Sequence, residues 1–223
     1  GLDKTTLLLV NALYFKGSWK HPFSKHSTEK KNFHKTAKNV IQVDTMRSSG
    51  KTFGYYENSQ LKAKFLDLRF KGEGVALVIA LPNEIEGLAA LESHAEKVFG
   101  PHKFASETVE VALPKFKIET RTDFKDVLKK LGVNKTFSAE EADLSGIAGE
   151  KGDLFVNEVL QKAFIEVDEE GVEAAAATFV ASPRMLMLRP PPARKFIADH
   201  PFMFYITVKN VIVFGGRVTE PSY

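Results

Sequence analysis

The chain has 223 residues, 43% of them hydrophobic and 18 of them Phe, enough apolar surface to bury a substantial core in one large domain or two small ones. Its formal net charge of +3 falls well short of the clustered excess of a nucleic-acid binder, and the absence of cysteine removes disulfides, thiolate metal sites and cysteine nucleophiles. No apolar run approaches the roughly 20 residues that span a bilayer, and the opening Gly-Leu-Asp-Lys lacks the charged-then-apolar pattern of a signal peptide.

In chain order, the near-continuous apolar run Leu7 to Phe15 predicts a strand buried on both faces at the centre of a sheet. Further strands are predicted at Val40 to Met46, Thr52 to Tyr56, Lys62 to Arg69, Val75 to Leu81 and Thr108 to Leu113, several set apart by Gly or Pro. Helical spacing marks Gly87 to Phe99 and Thr122 to Leu131. The second has an apolar stripe of Phe124, Val127, Leu128 and Leu131, Thr122 as its N-cap and Gly132 as its stop. Strands return at Leu154 to Val167, Phe202 to Val208 and Val211 to Phe214, the last two joined by a Lys-Asn turn. No internal repeat is present, and this much strand predicts an α+β, strand-rich chain with more than one sheet.

Catalytic signatures are missing. The sequence holds no Gly-rich phosphate loop, no His-Glu-x-x-His and no Gly-x-Ser-x-Gly elbow, so no enzymatic activity, metal or cofactor is expected. His21, His26 and His34 are spaced by five and eight, which fits no common ligand pattern. The lysines from Lys16 to Lys38 face only Glu29 in their own stretch. They read as a solvated face, with a polyanion such as a sulfated glycan as the alternative occupant. Asn134-Lys-Thr is a glycosylation sequon, relevant only to a secreted protein.

The segment from Glu169 to Lys195 is what no packed element needs. A run of small residues, Glu-Glu-Gly-Val-Glu-Ala-Ala-Ala-Ala-Thr, leads into Arg-Met-Leu-Met-Leu, closed by three prolines that forbid regular continuation. By itself the alanine run suits a helical spacer as well as a strand awaiting a sheet. Four other blocks decide between them. Asn11-Ala-Leu-Tyr-Phe-Lys-Gly-Ser-Trp19 with Pro22-Phe23, Leu113-Pro-Lys-Phe116, Ala142-Asp-Leu-Ser-Gly146, and Phe196 to Ile206 with Phe214 to Pro221 all resemble serpins, the serine protease inhibitors, and occur in that family's order.

The resemblance implies that residues 1–223 are the C-terminal portion of a single serpin domain of three β-sheets with surrounding helices. The family's first half, which carries most of the helices, precedes these blocks, and the portion alone would leave sheet edges uncovered. Residues 168–195 correspond to the exposed reactive-centre loop, whose hinge is Glu169, Glu170, Gly171, Val172, Glu173, Ala174, Ala175, Ala176, Ala177 and Thr178. Trp19 corresponds to the opening called the breach, and Asn11 and Gln161 are candidates for the hydrogen-bonded cluster called the shutter. Gln161 stands where many members carry His, and Val172 where most carry a small hydroxyl residue.

The implied mechanism is suicide inhibition, in which a protease cuts the loop and is trapped as an acyl-enzyme while the upstream half enters the large sheet. The twelve residues from Val172 to Pro183 would extend about 40 Å as a strand. Gly171 supplies a pivot, and period two puts Val172, Ala174, Ala176 and Thr178 on one face with Glu173 on the other. Counting as in the family places the reactive bond between Met185 and Leu186, for a chymotrypsin-like or elastase-like target. Arg184 would select trypsin-like enzymes, and Leu188 is a further alternative. The resemblance also implies a secreted protein, monomeric at full length, while the modest charge and short apolar runs point to no nucleic-acid or membrane partner. A serpin-fold carrier or storage protein is the rival class.

Overall fold

A computed structural model describes residues 5–15, 17–72, 74–170 and 193–223. They divide into two compact units, residues 1–15 with 118–165, and residues 16–117 with 166–223.

The smaller unit holds β1 (Thr5–Phe15), the greater part of β7 (Phe116–Asp123), α3 (Lys125–Lys130) and most of β8 (Leu154–Val167). These strands form a three-stranded sheet in the order β1-β8-β7. β1 and β8 run parallel, from Thr5 opposite Leu154 to Phe15 opposite Ile165, with one irregularity between Leu7 and Leu8. Among the described residues β1 pairs on one edge only, which corrects the expectation of a central strand buried on both faces: Leu8 is 52%, Val10 63% and Tyr14 65% exposed. The apolar run forms the expected strand, over Thr5–Phe15.

α3 is shorter than its sequence pattern. Its N-cap is Phe124 instead of Thr122, because the carboxylate of Asp123 accepts the Lys125 backbone N–H at 2.9 Å and takes over the capping role. Gly132 stops it as expected, at a φ of 93° that favours glycine, with the Val133 N–H returning to the Leu128 carbonyl. The apolar stripe is not buried: Leu131 is 75% exposed.

The larger unit is organised by an eight-stranded sheet in the order β11-β10-β5-β4-β3-β6-β9, with β2 paired to β3. Its strands are β2 (Glu29–His34), β3 (Val40–Asn58), β4 (Ala63–Arg69), β5 (Val75–Pro82), β6 (Ala105–Pro114), β9 (Arg194–Ile197), β10 (Phe202–Val208) and β11 (Val211–Val218). β6 and β9 are parallel; the other pairs are antiparallel. The two strands expected at Val40 to Met46 and Thr52 to Tyr56 are one strand of 19 residues. Gly50, at φ 69°, does not turn the chain; it lies in the irregularity between Ser48 and Lys51 in the pairing with β6. Lys209 and Asn210 both have positive φ, as the tight hairpin between β10 and β11 requires.

The helix expected from Gly87 to Phe99 is two short pieces, α1 (Leu88–Glu92) and α2 (Ala95–Val98), interrupted at Ser93 and His94. The Ser93 hydroxyl donates to the Ala90 carbonyl, an alternative to the helical ladder that short hydroxyl side chains offer. Leu91 and Val98 from these pieces pack with Phe65, Val78, Ala80, Met203 and Tyr205 of the sheet. A second aromatic group joins Phe116 to Phe202 and Phe204, with centroids 5.9 and 5.6 Å apart. Each fully buried Phe contributes about 2–3 kcal/mol of transfer free energy, so this Phe-rich core is the main support of the unit.

Candidate functional site

The site is the exit of β8, where residues 168–170 lead into the small-residue run. Two backbone bonds tie it to the segment after β1: the Trp19 N–H donates to the Glu170 carbonyl at 3.3 Å and the Phe23 N–H to the Glu169 carbonyl at 2.9 Å. The Trp19 indole Nε1 donates to the Asp168 carbonyl at 2.7 Å. That indole is buried, stacked on Phe70 at 4.3 Å and edge-on to Phe23, so its bond is shielded from competing water.

Glu169 carries the electrostatics. It is 5% exposed, accepts from the Thr28 hydroxyl at 2.7 Å through one oxygen, and lies 3.0 Å from Lys115 Nζ through the other. Burial pushes its pKa up, but the bonds from Thr28, its own backbone N–H and Lys115 outweigh that and hold the carboxyl below its ordinary value. Glu170 pairs with Lys25, and its N–H donates to Asp168 Oδ1 at 3.0 Å. Three acids and a buried indole therefore fix the chain immediately ahead of Gly171.

Of the residues singled out from sequence, Trp19, Glu169 and Glu170 are brought together here. Asn11 and Gln161 lie opposite one another in the β1 to β8 register, Asn11 exposed and Gln161 half-buried. Asn134 is exposed, at the start of a short 3-10 turn over Lys135–Phe137. Gly171 to Thr178 of the hinge and the reactive-bond candidates Arg184, Met185, Leu186 and Leu188 lie outside the described residues. The expected loop, 168–195, ends within β9, whose Phe196 is fully buried.

The described lysines of this stretch are exposed, with Lys35 half-buried, as a solvated face requires, and several are paired with acids. Lys25 pairs with Glu170, Lys30 with Asp44, Lys31 with Glu29 and Lys35 with Glu220, partners up to 185 positions away. These acids lower the field that a polyanion would meet. Lys16 lies outside the described residues.

Sequence reasoning missed Thr28, Lys25 and Lys115 as parts of the site. Lys115 stood inside the Leu113 to Phe116 block, but nothing local marked its partner. Thr28 and Lys25 lie in a charged stretch without periodicity.

β8 thus ends in a tethered acidic turn, and the small-residue run follows it in sequence. The family model described as serpin (serine protease inhibitor) matches residues 2–221, and the chain belongs to that family. Alaserpin of Manduca sexta is 40% identical over 99% of this chain and 56% of its own length. The human leukocyte elastase inhibitor is 40% identical over 98% of this chain and 59% of its own. The crystal structure of Serpin48, a highly specific serpin of the insect Tenebrio molitor, superposes with a TM-score of 0.87 at 54% identity, covering 99% of this chain and 58% of that one. The chain thus spans little more than half the length of these relatives.

Proposed function

We propose that this chain is the loop-bearing portion of an inhibitory serpin, a suicide substrate and not a catalyst. The observation that carries this reading is the anchored β8 exit, with Glu169 buried on Thr28 and Lys115, directly ahead of Gly171 and four consecutive alanines. A strand folding back from that exit runs antiparallel to β8, and therefore also to β1. Entering between them, it replaces one parallel seam with two antiparallel ones, each the more stable pairing per residue. Ala174 to Ala177 offer no bulk to obstruct entry, and a protease still esterified to the loop would be carried along.

In this reading Met185 fills an apolar primary pocket and Leu186 begins the leaving strand, in keeping with the name of the human elastase inhibitor to which the chain is similar. The protein meets its target outside the cell, and the exposed Asn134 carries a glycan there. The experiment is to incubate the full-length protein with chymotrypsin, elastase and trypsin and look for a complex that survives denaturing gel electrophoresis. Mass spectrometry of the released peptide locates the cut, and a bond after Arg184 would transfer the specificity to trypsin-like enzymes. Cleavage of the loop without any stable complex would overturn inhibition in favour of a carrier or storage role. An unmodified Asn134 in protein purified from its source would remove the glycan.

A further inference from the structure

The exit of β8 has a further fastening, supplied by the segment after β11. Tyr223 Oη lies 2.9 Å from Glu166 Oε1 and 3.1 Å from Asp168 Oδ2, donating to this pair of carboxylates. Two residues apart at the end of β8, the carboxylates belong to one side of the strand direction, where like charges repel. A phenol has a single proton, so the two acids share it, with Glu166 the nearer acceptor. Burial, then the bond to Glu166 and the charge of Asp168, push the phenol up and keep it a donor.

The same ring works from its face. Lys115 Nζ lies 3.8 Å from the ring centroid and 3.0 Å from Glu169 Oε2, so the ammonium sits between the Tyr223 π-cloud and the buried carboxylate. The segment is held on its own account: the Lys117 N–H donates to the Ser222 carbonyl at 2.8 Å and Lys35 pairs with Glu220. Tyr223 is 56% exposed, yet it is presented to β8 in a fixed position. Edge and face together link Glu166, Asp168, Lys115 and Glu169.

We propose that Tyr223 is a positioning residue for loop insertion, holding in place the end of β8 from which the inserting segment leads. This rests on the inhibitory reading. After cleavage, insertion competes with hydrolysis of the acyl-enzyme, and a frayed β8 end must first be ordered before the strand can start. Removing the hydroxyl therefore shifts the competition towards hydrolysis and leaves recognition of the reactive bond alone.

The test uses the full-length protein with Tyr223→Phe, which keeps the ring over Lys115, and Tyr223→Ala, which removes both contacts. Amide exchange over residues 166–170 should accelerate in Tyr223→Phe, and the moles of inhibitor consumed per mole of protease inactivated should rise roughly two- to fivefold, as expected for losing one partly exposed hydrogen bond to a charged group. Tyr223→Ala should exceed both changes, while the rate of first cleavage stays at the parent value. A merely structural role would lower the melting temperature and leave the consumption ratio at the parent value. That result, or parental exchange at 166–170, overturns the inference alone. A parent protein that forms no stable complex with any protease overturns the inhibitory reading and this inference with it.

Discussion

Replacing Glu169 by Gln keeps the shape of the side chain and removes its charge from a closed environment. The carboxylate is 5% exposed, 2.7 Å from Thr28 Oγ1 and 3.0 Å from Lys115 Nζ, and the Lys115 side chain retains 16% exposure. Removing one partner of a fully buried pair costs about 3–5 kcal/mol. Water reaches Lys115, and Gln can still accept from Thr28, so the expected loss is about 2 kcal/mol. In urea unfolding of the full-length protein this should lower the midpoint at unchanged slope. Lys115→Met should cost a similar amount, and the double variant about 1–2 kcal/mol less than the sum of the two. The pH dependence follows from the sign of the shift. A carboxyl held below its ordinary value of 4.5 stabilises the fold above that pH, and the contribution is lost as pH falls through the lowered value. Glu169→Gln should lack that acid-side loss. A midpoint within about 0.5 kcal/mol of the parent, or strictly additive effects of the two substitutions, would refute the pairing as a source of stability.

Asp67 is buried, its Oδ1 without a hydrogen-bond partner among the described residues, and burial raises its pKa against the opposing Arg69. With the folded value above the ordinary 3.8, its favourable contribution exists below that pH and disappears as pH rises through the raised value. Asp67→Leu should therefore stabilise the protein by about 1 kcal/mol in neutral urea melts, an advantage that shrinks in acid. Gly50 lies at φ 69° and a Cβ there would meet none of the described residues within 4 Å, so Gly50→Ala should cost about 1 kcal/mol through backbone strain, measured by the same melts. On the inhibitory reading, Ala175→Arg should block entry of the loop, leaving a substrate that is cleaved at the parental rate without forming a gel-stable complex with its protease.

The elements visible in sequence are those whose apolar residues are dense enough to mark themselves: Leu154 to Val167 and Phe202 to Val208 have the same bounds in the structure. β2, β7 and β9 went unread. β2 buries only Phe33 among charged neighbours, β7 buries only Phe116, and β9 is four residues long. Gly50 misled because a glycine between two apolar runs signals a turn as readily as a strand irregularity. At the site, Trp19 and the two glutamates were legible through the resemblance of their blocks. Thr28 meets Glu169 across 141 positions, and Tyr223 meets Asp168 across 55, pairings that only the folded chain creates.

Trp19 is the single tryptophan of these 223 residues, and its indole is 2% exposed with its N–H committed to the Asp168 carbonyl. These residues therefore contain one indole, hydrogen-bonded to the exit of β8. Any rearrangement of residues 168–170 alters the hydrogen bond and the stacking on Phe70 together, which changes both the emission maximum and the lifetime. On the inhibitory reading, a tryptophan analogue that absorbs apart from the protease's own tryptophans, placed at Trp19 of the full-length protein, would time the movement of the β8 exit separately from the cutting of the bond.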